Sequence, residues 1–306
     1  MELVSVIIPT YNRQHYIKEA VESALAQDYL KIEVIVVDDG SQDNTESVLA
    51  PYAGRIKYIK QENSGPAKAR NHGIKAARGE FITFLDSDDK YFSRKVSRQA
   101  EYLRNHSECG LVYSDCEYFD DSGRHWRPNI KRHEGWIFDK LLFEDFFGSG
   151  SCVMVKRSIL EQVGFLNEKL ITGEDRNLYL KIAKLYQVGF VNEPLVSVRM
   201  HPARLSYNYN VSLGTIEGLK DIIRIYPEYG PKKSALMRKA LARRNIQLAD
   251  ELFYAGKYQL AKKHYWDSVS YDFKNLLAVK FLCYALMPDL ILNVIKRGRG
   301  SKFEKN

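Results

Sequence analysis

The sequence predicts an α/β fold, with a mainly parallel sheet flanked by helices and an all-helical extension towards the C-terminal end. In the first hundred residues, short apolar runs of strand type alternate with segments whose apolar residues recur at helical spacing. From residue 215 to about residue 297, only the helical spacing remains. We therefore expect two domains, residues 1–213 and residues 214–306.

The predicted strands of the first hundred residues are short and apolar. They cover residues 3–9, 32–37, 56–59 and 81–85, and the predicted helices cover residues 16–27, 44–49 and 67–77. Strands joined by crossover helices run parallel, so their carboxyl ends share one edge of the sheet. Polar clusters follow three of these strands: Thr10-Tyr11-Asn12, Asp38-Asp39-Gly40-Ser41 and Asp86-Ser87-Asp88-Asp89.

The third cluster carries three carboxylates within four residues. Open α/β sheets bind ligands at the carboxyl ends of their strands, and carboxylate oxygens suit Mg²⁺ or Mn²⁺ that is shared with substrate phosphates. The alternative is that these acids form a turn or cap the helix that begins near Ser93. The sequence has neither Gly-x-Gly-x-x-Gly after the first strand nor a P-loop signature, so we expect no dinucleotide-binding or P-loop site.

Between residues 109 and 198 the pattern predicts further strands. Residues 109–119 lead into a hairpin turn at 120–123, and residues 151–155, 188–191 and 195–198 have strand character. Trp136 begins a short amphipathic helix, where it either stacks on a sugar or packs in the core. Glu174 and Asp175 begin another helix, where acids complement the helix dipole.

The net charge of +8 comes from the C-terminal part of the chain. Residues 211–306 carry 18 Lys/Arg and 9 Asp/Glu, and the preceding residues are nearly neutral. Such an excess of bases is compatible with nucleic acid or an anionic membrane surface, and we favour the membrane and expect no nucleic-acid partner. The apolar runs at 276–287 and 290–295 are too short to span a bilayer, so they pack on the first domain or lie in a membrane interface.

Cysteine usage and the start of the chain indicate the compartment. The four cysteines form no Cys-x-x-Cys pair, and the N-terminus enters a strand pattern without a signal peptide. We therefore expect buried thiols and a cytoplasmic protein, with peripheral attachment to the inner face of the cell membrane if the basic region binds lipid.

Four motifs resemble those of family 2 glycosyltransferases of the GT-A fold, of the bacterial polysaccharide type. They are V-S-V-I-I-P-T-Y-N from residue 4, V-I-V-V-D-D-G-S-x-D-x-T from residue 34, A-R-N-x-G-I-x-x-A-x-G from residue 69 and F-L-D-S-D-D from residue 84. The resemblance covers about residues 3–206. It implies a nucleotide-diphospho-sugar transferase that moves a sugar, with inversion and metal dependence, to a hydroxyl acceptor. A UDP-sugar is the favoured donor, and a glycan or lipid-linked glycan in cell-surface polysaccharide synthesis is the expected acceptor.

The resemblance also assigns residues to the donor. Those expected at the nucleotide sugar are Pro9, Tyr11, Asp39, Arg70, Asp86, Asp88 and Arg199. Tyr11 would lie by the base and Asp39 would accept a hydrogen bond from it, whereas Asp38 would fix a turn. Asp88 would hold Mn²⁺ or Mg²⁺ on the diphosphate, with Asp89 as an equally charged alternative.

Later residues resemble the catalytic and closing elements of the family. Asp175 matches the catalytic base of an Glu-Asp pair, and Glu174 would orient the acceptor or brace the loop. His201 would complete the metal shell or reach the diphosphate, the alternative being a structural histidine. Residues 202–213 resemble a lid that closes over the donor.

Two other functions remain open at this point. A sugar-phosphate nucleotidylyltransferase also places acids on an α/β sheet, but it needs a Gly-rich basic loop where this chain has Pro9-Thr10-Tyr11-Asn12. A non-catalytic helical scaffold would account for the C-terminal third alone. Metal-dependent hydrolysis of a nucleotide sugar would argue against the scaffold, and pyrophosphate release from a nucleoside triphosphate would favour the nucleotidylyltransferase.

Overall fold

The structure is a computed structural model that describes residues 1–201 and 210–272. The chain divides into two compact units, Met1–Arg204 and Leu205–Asn306. The two units meet between residues 204 and 205, closer to the N-terminus than the boundary predicted between residues 213 and 214. The predicted boundary falls inside a continuous helix, Asn210–Ile225. The predicted lid at residues 202–213 and the apolar runs after residue 275 lie wholly or mostly outside the described residues.

The first unit contains the strands and seven of the described helices. The strands are β1 Val4–Thr10, β2 Ile32–Asp38, β3 Lys57–Lys60, β4 Phe81–Phe84, β5 Lys90–Tyr91, β6 Cys109–Asp120, β7 His125–Trp126, β8 Val153–Lys156 and β9 Gln187–Met200. The helices are α1 Ile17–Leu25, α2 Thr45–Leu49, α3 Pro66–Ala76, α4 Lys95–Asn105, α5 Phe138–Phe143, α6 Arg157–Val163 and α7 Glu174–Leu185. Short 3-10 turns cover Ala50–Tyr52 and Gly150–Cys152.

The described strands form one mixed sheet in the order β3-β2-β1-β4-β8-β6-β9-β5, with β7 paired to β6. The strands β3, β2, β1 and β4 are parallel, which confirms the prediction for the first hundred residues. Beyond β4 the direction changes, because β8 is antiparallel to both β4 and β6. The hairpin predicted at residues 120–123 is also confirmed, since β7 pairs antiparallel with β6.

The core of the first unit lies on the two faces of this sheet. Strand β1 is continuously apolar because both faces are covered: Val6, Ile7 and Ile8 are completely buried. Helix α3 approaches β1 and β2 so closely that a Cβ atom on Gly73 would lie 2.4 Å from Ile7 Cγ2. The absence of a side chain at Gly73 therefore sets how near α3 lies to the sheet.

The structure differs from the sequence prediction in three local features. The strands predicted at 188–191 and 195–198 are a single strand, β9, whose pairing with β6 contains register shifts. The two-residue strand β5 was not predicted, because it forms only by pairing with β9 more than a hundred residues later. Trp136 precedes α5 and is 66% exposed, so the prediction that it packs in the core was wrong.

The described part of the second unit is helical, as predicted. It contains α8 Asn210–Ile225, α9 Ala235–Tyr254 and α10 Tyr258–Tyr271. Tyr265 of α10 donates a hydrogen bond to Asp250 of α9 at 2.6 Å, and Ser212 of α8 donates to Glu251 at 2.8 Å. Over the described residues of both units, none of the helices has the length and apolarity needed to cross a bilayer.

Candidate active site

The carboxyl ends of β2, β1 and β4 lie next to one another at one edge of the sheet. Thr10 at the end of β1 pairs with Asp38 at the end of β2, and Ile7 of β1 pairs with Phe84 at the end of β4. The three polar clusters that follow these strands are therefore neighbours, as predicted. Asn12 connects two of them, because its backbone N–H donates a hydrogen bond to the Ser41 hydroxyl at 2.9 Å.

The two acids after β2 have different partners. Asp38 is completely buried and accepts hydrogen bonds from the Ser41 N–H at 2.7 Å and from the Tyr58 hydroxyl at 2.6 Å. It fixes the turn, as predicted. Asp39 accepts the backbone N–H groups of Ser64 and Gly65 at 2.9 Å and 2.8 Å and the Gln61 side-chain amide at 2.7 Å, so it fixes the loop that leads into α3. An ionised carboxylate has about four acceptor sites, so the buried Asp39 retains capacity for about one further hydrogen bond.

Tyr11 and Pro9 also lie at this edge. Pro9 is the penultimate residue of β1, where it pairs with Val37 of β2. The Tyr11 side chain follows the strand and is 41% exposed, which leaves its ring face accessible at the ends of β1 and β2.

The acidic cluster after β4 forms a turn, since the Asp89 N–H donates to the Asp86 carbonyl at 3.0 Å. The turn that we gave as an alternative for these acids is thus confirmed, and the alternative that they cap the next helix is wrong, because α4 begins at Lys95 without a side-chain cap. Asp89 is buried, and its carboxylate accepts hydrogen bonds from the hydroxyls of Ser149 and Ser151 at 3.0 Å and 2.7 Å. Asp89 thus has a structural function, and Asp88 is the more available of the two acids.

Asp88 and His201 form a pair of potential metal ligands. The Asp88 Oδ2 and His201 Nε2 atoms are 2.9 Å apart, and the Arg13 Nε atom lies 3.8 Å from the same oxygen. Two cis ligands at the ~2.1 Å distance typical of Mg²⁺ would be about 3 Å apart, so the pair fits one ion. Within residues 1–201 and 210–272 no group of three His, Cys, Asp or Glu side chains could hold a metal.

Arg199 lies beside this pair and is almost completely buried. Its guanidinium donates to Asp121 at 2.7 Å, to Glu19 at 3.0 Å and to the Asp88 carbonyl at 3.2 Å. It also lies over the rings of Tyr16 and Phe119, at 4.9 Å and 4.5 Å from their centroids. Arg199 therefore braces the Asp88 turn against α1 and the β6–β7 hairpin.

Asp175 and Glu174 occupy the first turn of α7, which starts after Gly173 in the left-handed conformation with φ 73°. Glu174 is buried, and its Oε1 atom accepts a hydrogen bond from Arg70 Nη1 at 2.6 Å. The second nitrogen of the same guanidinium donates to Asp86 at 2.8 Å. Arg70 therefore connects the acidic turn after β4 with the start of α7.

Asp175 has the electrostatic environment of a general base. Burial raises the pKa of Asp175 to about 7, the carboxylates of Glu174 and Asp145 act in the same direction, and the Arg70 guanidinium opposes them. A carboxyl group with this pKa is about half ionised near neutrality and can accept a proton from a hydroxyl group in the reaction. The Asp175 Oδ1 atom accepts the Arg176 N–H at 2.6 Å, which fixes the orientation of the carboxylate.

Comparison with known proteins identifies the family. A family model described as Glycosyl transferase family 2 matches residues 5–164, just over half of the chain. The chain belongs to glycosyl transferase family 2. An uncharacterized glycosyltransferase of Rickettsia typhi is 31% identical over 269 residues, which cover 85% of this chain and 83% of the relative. A putative teichuronic acid biosynthesis glycosyltransferase of Bacillus subtilis, TuaG, is 33% identical over 187 residues, or 60% of this chain and 72% of the relative.

The lengths of the relatives differ widely. The chain spans 34%, about a third, of the length of each of the glycosyltransferases from Rickettsia felis and Rickettsia conorii that it matches.

Solved structures support the same family 2 fold. The fragment 1–349 of S. aureus TarS in complex with UDP-GlcNAc gives a TM-score of 0.60 at 18% identity, covering 88% of this chain and 89% of that fragment. A mannosyltransferase from Pyrobaculum calidifontis in complex with GDP-Man and Mn²⁺ gives a TM-score of 0.61 at 20% identity, covering 100% of this chain and 88% of that chain. The family 2 chain described here therefore has the predicted GT-A fold.

Three residues of this family 2 site were not assigned from the sequence. Ser149 and Ser151 hold Asp89, and Asn71 holds the segment before α7 through hydrogen bonds to Leu166 and Glu168. For the serines the sequence offers no signal, since they come 60 and 62 residues after Asp89. Asn71 lies within the quoted A-R-N motif, so its position in that motif was the available signal.

Proposed function

We propose that this chain transfers a sugar from a nucleotide-diphosphate sugar to a hydroxyl group of an acceptor, with inversion at the anomeric carbon. The observation that supports it best is the position of Asp175. This carboxylate, with its pKa raised to about 7, follows directly after Glu174, which Arg70 connects to the acidic turn that carries Asp88. A base and a diphosphate-binding edge in one site are the two requirements of a single displacement.

Asp175 is the proposed catalytic base. It takes the proton of the acceptor hydroxyl while the hydroxyl oxygen forms its bond to the anomeric carbon, and the bond from that carbon to the diphosphate oxygen breaks. The electron pair of the broken bond leaves with the nucleoside diphosphate. One base is sufficient, because no covalent intermediate on the enzyme forms.

Asp88 and His201 are the proposed protein ligands of Mn²⁺ or Mg²⁺, with the remaining ligands supplied by the donor diphosphate. When bound, the ion would offset the negative charge that develops on the departing diphosphate. Arg199 is the proposed cationic neighbour of this diphosphate. Its hydrogen bonds to Asp121 and Glu19 also stabilise the position of the Asp88 turn.

The proposed nucleotide subsite lies at the ends of β1, β2 and β4. Tyr11 offers an exposed ring for the base beside Pro9, and Asp39 retains acceptor capacity for a base N–H. Asp86 is the proposed ribose contact, and three of the five N–H groups of Arg70 remain for the nucleotide. A UDP-sugar is the favoured donor, and TarS with its bound UDP-GlcNAc supports this choice.

The proposed acceptor is a glycan or lipid-linked glycan in cell-surface polysaccharide synthesis, in keeping with the name of the Bacillus subtilis relative. Trp136, exposed before α5, is a proposed stacking surface for an acceptor sugar. We further propose that residues 1–213 form the catalytic domain, and that the basic residues 214–306 attach a cytoplasmic enzyme peripherally to the anionic inner face of the membrane.

A panel of nucleotide sugars with Mn²⁺, scored for slow hydrolysis without acceptor, tests the activity. Calorimetric titration with UDP, GDP and dTDP in Mn²⁺ then tests the nucleotide, and we expect UDP to bind most tightly. Equal or tighter binding of GDP would contradict the assignment of the base subsite, and the complex of the related mannosyltransferase with GDP-Man makes this comparison necessary. Hydrolysis of none of the donors would contradict the proposed activity itself.

A further inference from the structure

Helix α3 makes two separate attachments to the segment that carries the proposed base. Arg70 bridges Asp86 and Glu174 at 2.8 Å and 2.6 Å. The next residue, Asn71, is 3% exposed and makes three hydrogen bonds: its side-chain nitrogen donates to the Leu166 carbonyl at 2.9 Å and to Glu168 at 2.8 Å, and its oxygen accepts the Leu166 N–H at 3.1 Å. Adjacent residues of one helix thus hold both the approach to α7 and its first turn.

The position of α3 is itself fixed by packing. Gly73 lies one turn after Arg70 and leaves no room for a Cβ atom against Ile7. Because α3 lies directly on β1 and β2, Arg70 reaches the carboxyl edge of the sheet. A long planar guanidinium that binds one carboxylate on each side transmits the position of the Asp86 turn to Glu174, and through the helix backbone to Asp175.

The charge of Arg70 acts on Asp175 as well. The charged and titratable groups around Asp175 are Glu174, Arg176 and Tyr179 of its own helix, Asp145 from the loop after α5, Arg70 from α3 and, beyond Arg70, Asp86. Burial raises the pKa of Asp175 most, two neighbouring carboxylates raise it further, and Arg70 is the cation that opposes them. Tyr179 remains neutral, because burial raises its pKa well above the usual range.

We propose that Arg70 and Asn71 are positioning residues of the transfer reaction, which join the donor edge of the sheet to α7, and that the Arg70 cation favours the charged form of the base. This role rests on the proposed function and goes beyond a contact between Arg70 and the nucleotide. A residue that only bound the donor would change the KM for the donor. A residue that sets the charge of the base also moves the pH at which transfer begins.

The test compares the pH profile of kcat for the full-length wild type, Arg70→Met, Arg70→Lys and Asn71→Ala. Removing a cation raises the pKa of the base, so we expect the acid limb of Arg70→Met to move upward by about one pH unit. Arg70→Lys keeps the charge but cannot bridge both acids, so its acid limb should stay in place while kcat falls about tenfold. Asn71→Ala should lower kcat by about ten- to a hundredfold with an unchanged acid limb.

Two controls separate the outcomes. Arg78→Met removes an exposed arginine that pairs with Glu33 and should leave the profile unchanged. Glu174→Gln removes a carboxylate beside the base, so its acid limb should move downward; this variant keeps the test decisive if Arg70→Met does not fold. Folded Arg70→Met with a higher donor KM and the wild-type acid limb would overturn the proposal. Absence of transfer by the wild type would instead overturn the proposed function.

Discussion

Substitution of Asp175 by Asn tests the mechanism most directly, because it keeps the shape of the side chain and removes its basicity. The amide oxygen of Asn can still accept the Arg176 N–H that Asp175 accepts at 2.6 Å. Loss of a general base costs about 10² to 10⁴ in rate. This range corresponds to about 2.7 to 5.4 kcal/mol in the barrier for transfer.

The pH profile gives a second quantity from the same residue. With the pKa of Asp175 at about 7, roughly a tenth of the carboxyl groups are ionised at pH 6, half at pH 7 and nine tenths at pH 8. The kcat of the wild type should therefore rise about fivefold from pH 6 to pH 7 and less than twofold from pH 7 to pH 8. The residual rate of Asp175→Asn should not follow this curve, since Asn does not titrate.

The assay measures sugar transfer, or slow donor hydrolysis if the acceptor is not in hand, over pH 5.5 to 9 at a saturating donor concentration. Titration of UDP in Mn²⁺ serves as the control, and Asp175→Asn should bind UDP almost like the wild type. Loss of UDP affinity along with turnover would place Asp175 in the donor site. Near-normal transfer by Asp175→Asn would refute its role as the base, and Asp175 would then be only an acid that complements the α7 dipole.

Three further predictions follow from the same structure. Asp88→Ala should weaken UDP binding in Mn²⁺ but not in metal-free buffer, since it loses one of two proposed protein ligands; equal weakening in both buffers would contradict metal binding. Gly73→Ala should lower the free energy of unfolding by about 1 to 3 kcal/mol, because its Cβ would overlap Ile7. The control Gly54→Ala, whose Cβ meets nothing within 4 Å, should leave the free energy of unfolding unchanged, and thermal unfolding compares the two variants. Ending the chain near Asn275 should release it from acidic liposomes without loss of UDP binding, and an unfolded product would contradict the membrane role.

The donor half of the fold was predictable from the sequence, because buried parallel strands leave a simple signal. Strand β1 is apolar on both faces, and its parallel direction relative to β2 and β4 follows from the connecting helices. The antiparallel half was less predictable. The strand β5 is two residues long and is defined only by pairing with β9, and β9 was predicted as two strands because its bulged middle interrupts the apolar pattern.

The sequence indicated which residues lie together at the candidate site, but it did not indicate which of them are held by structural hydrogen bonds and which are available to a ligand. Asp88 and Asp89 are equivalent in the sequence, whereas in the structure Asp89 accepts hydrogen bonds from Ser149, Ser151 and the Arg199 N–H. Trp136 looked like a core residue because of its size, yet it is exposed. Such distinctions depend on contacts between distant segments, which a periodic pattern does not contain.

The distance in sequence between Asp89 and its partners has a consequence for how the protein is made. Ribosomes deliver the chain from its N-terminus, so β1 to β4 and the acidic turn emerge before Ser151, and Arg199 and His201 follow later still. Until β9 pairs with β6, Asp88 lacks His201 and the turn lacks its brace. All residues of the proposed metal–diphosphate site are therefore present only once about 200 residues have been synthesised.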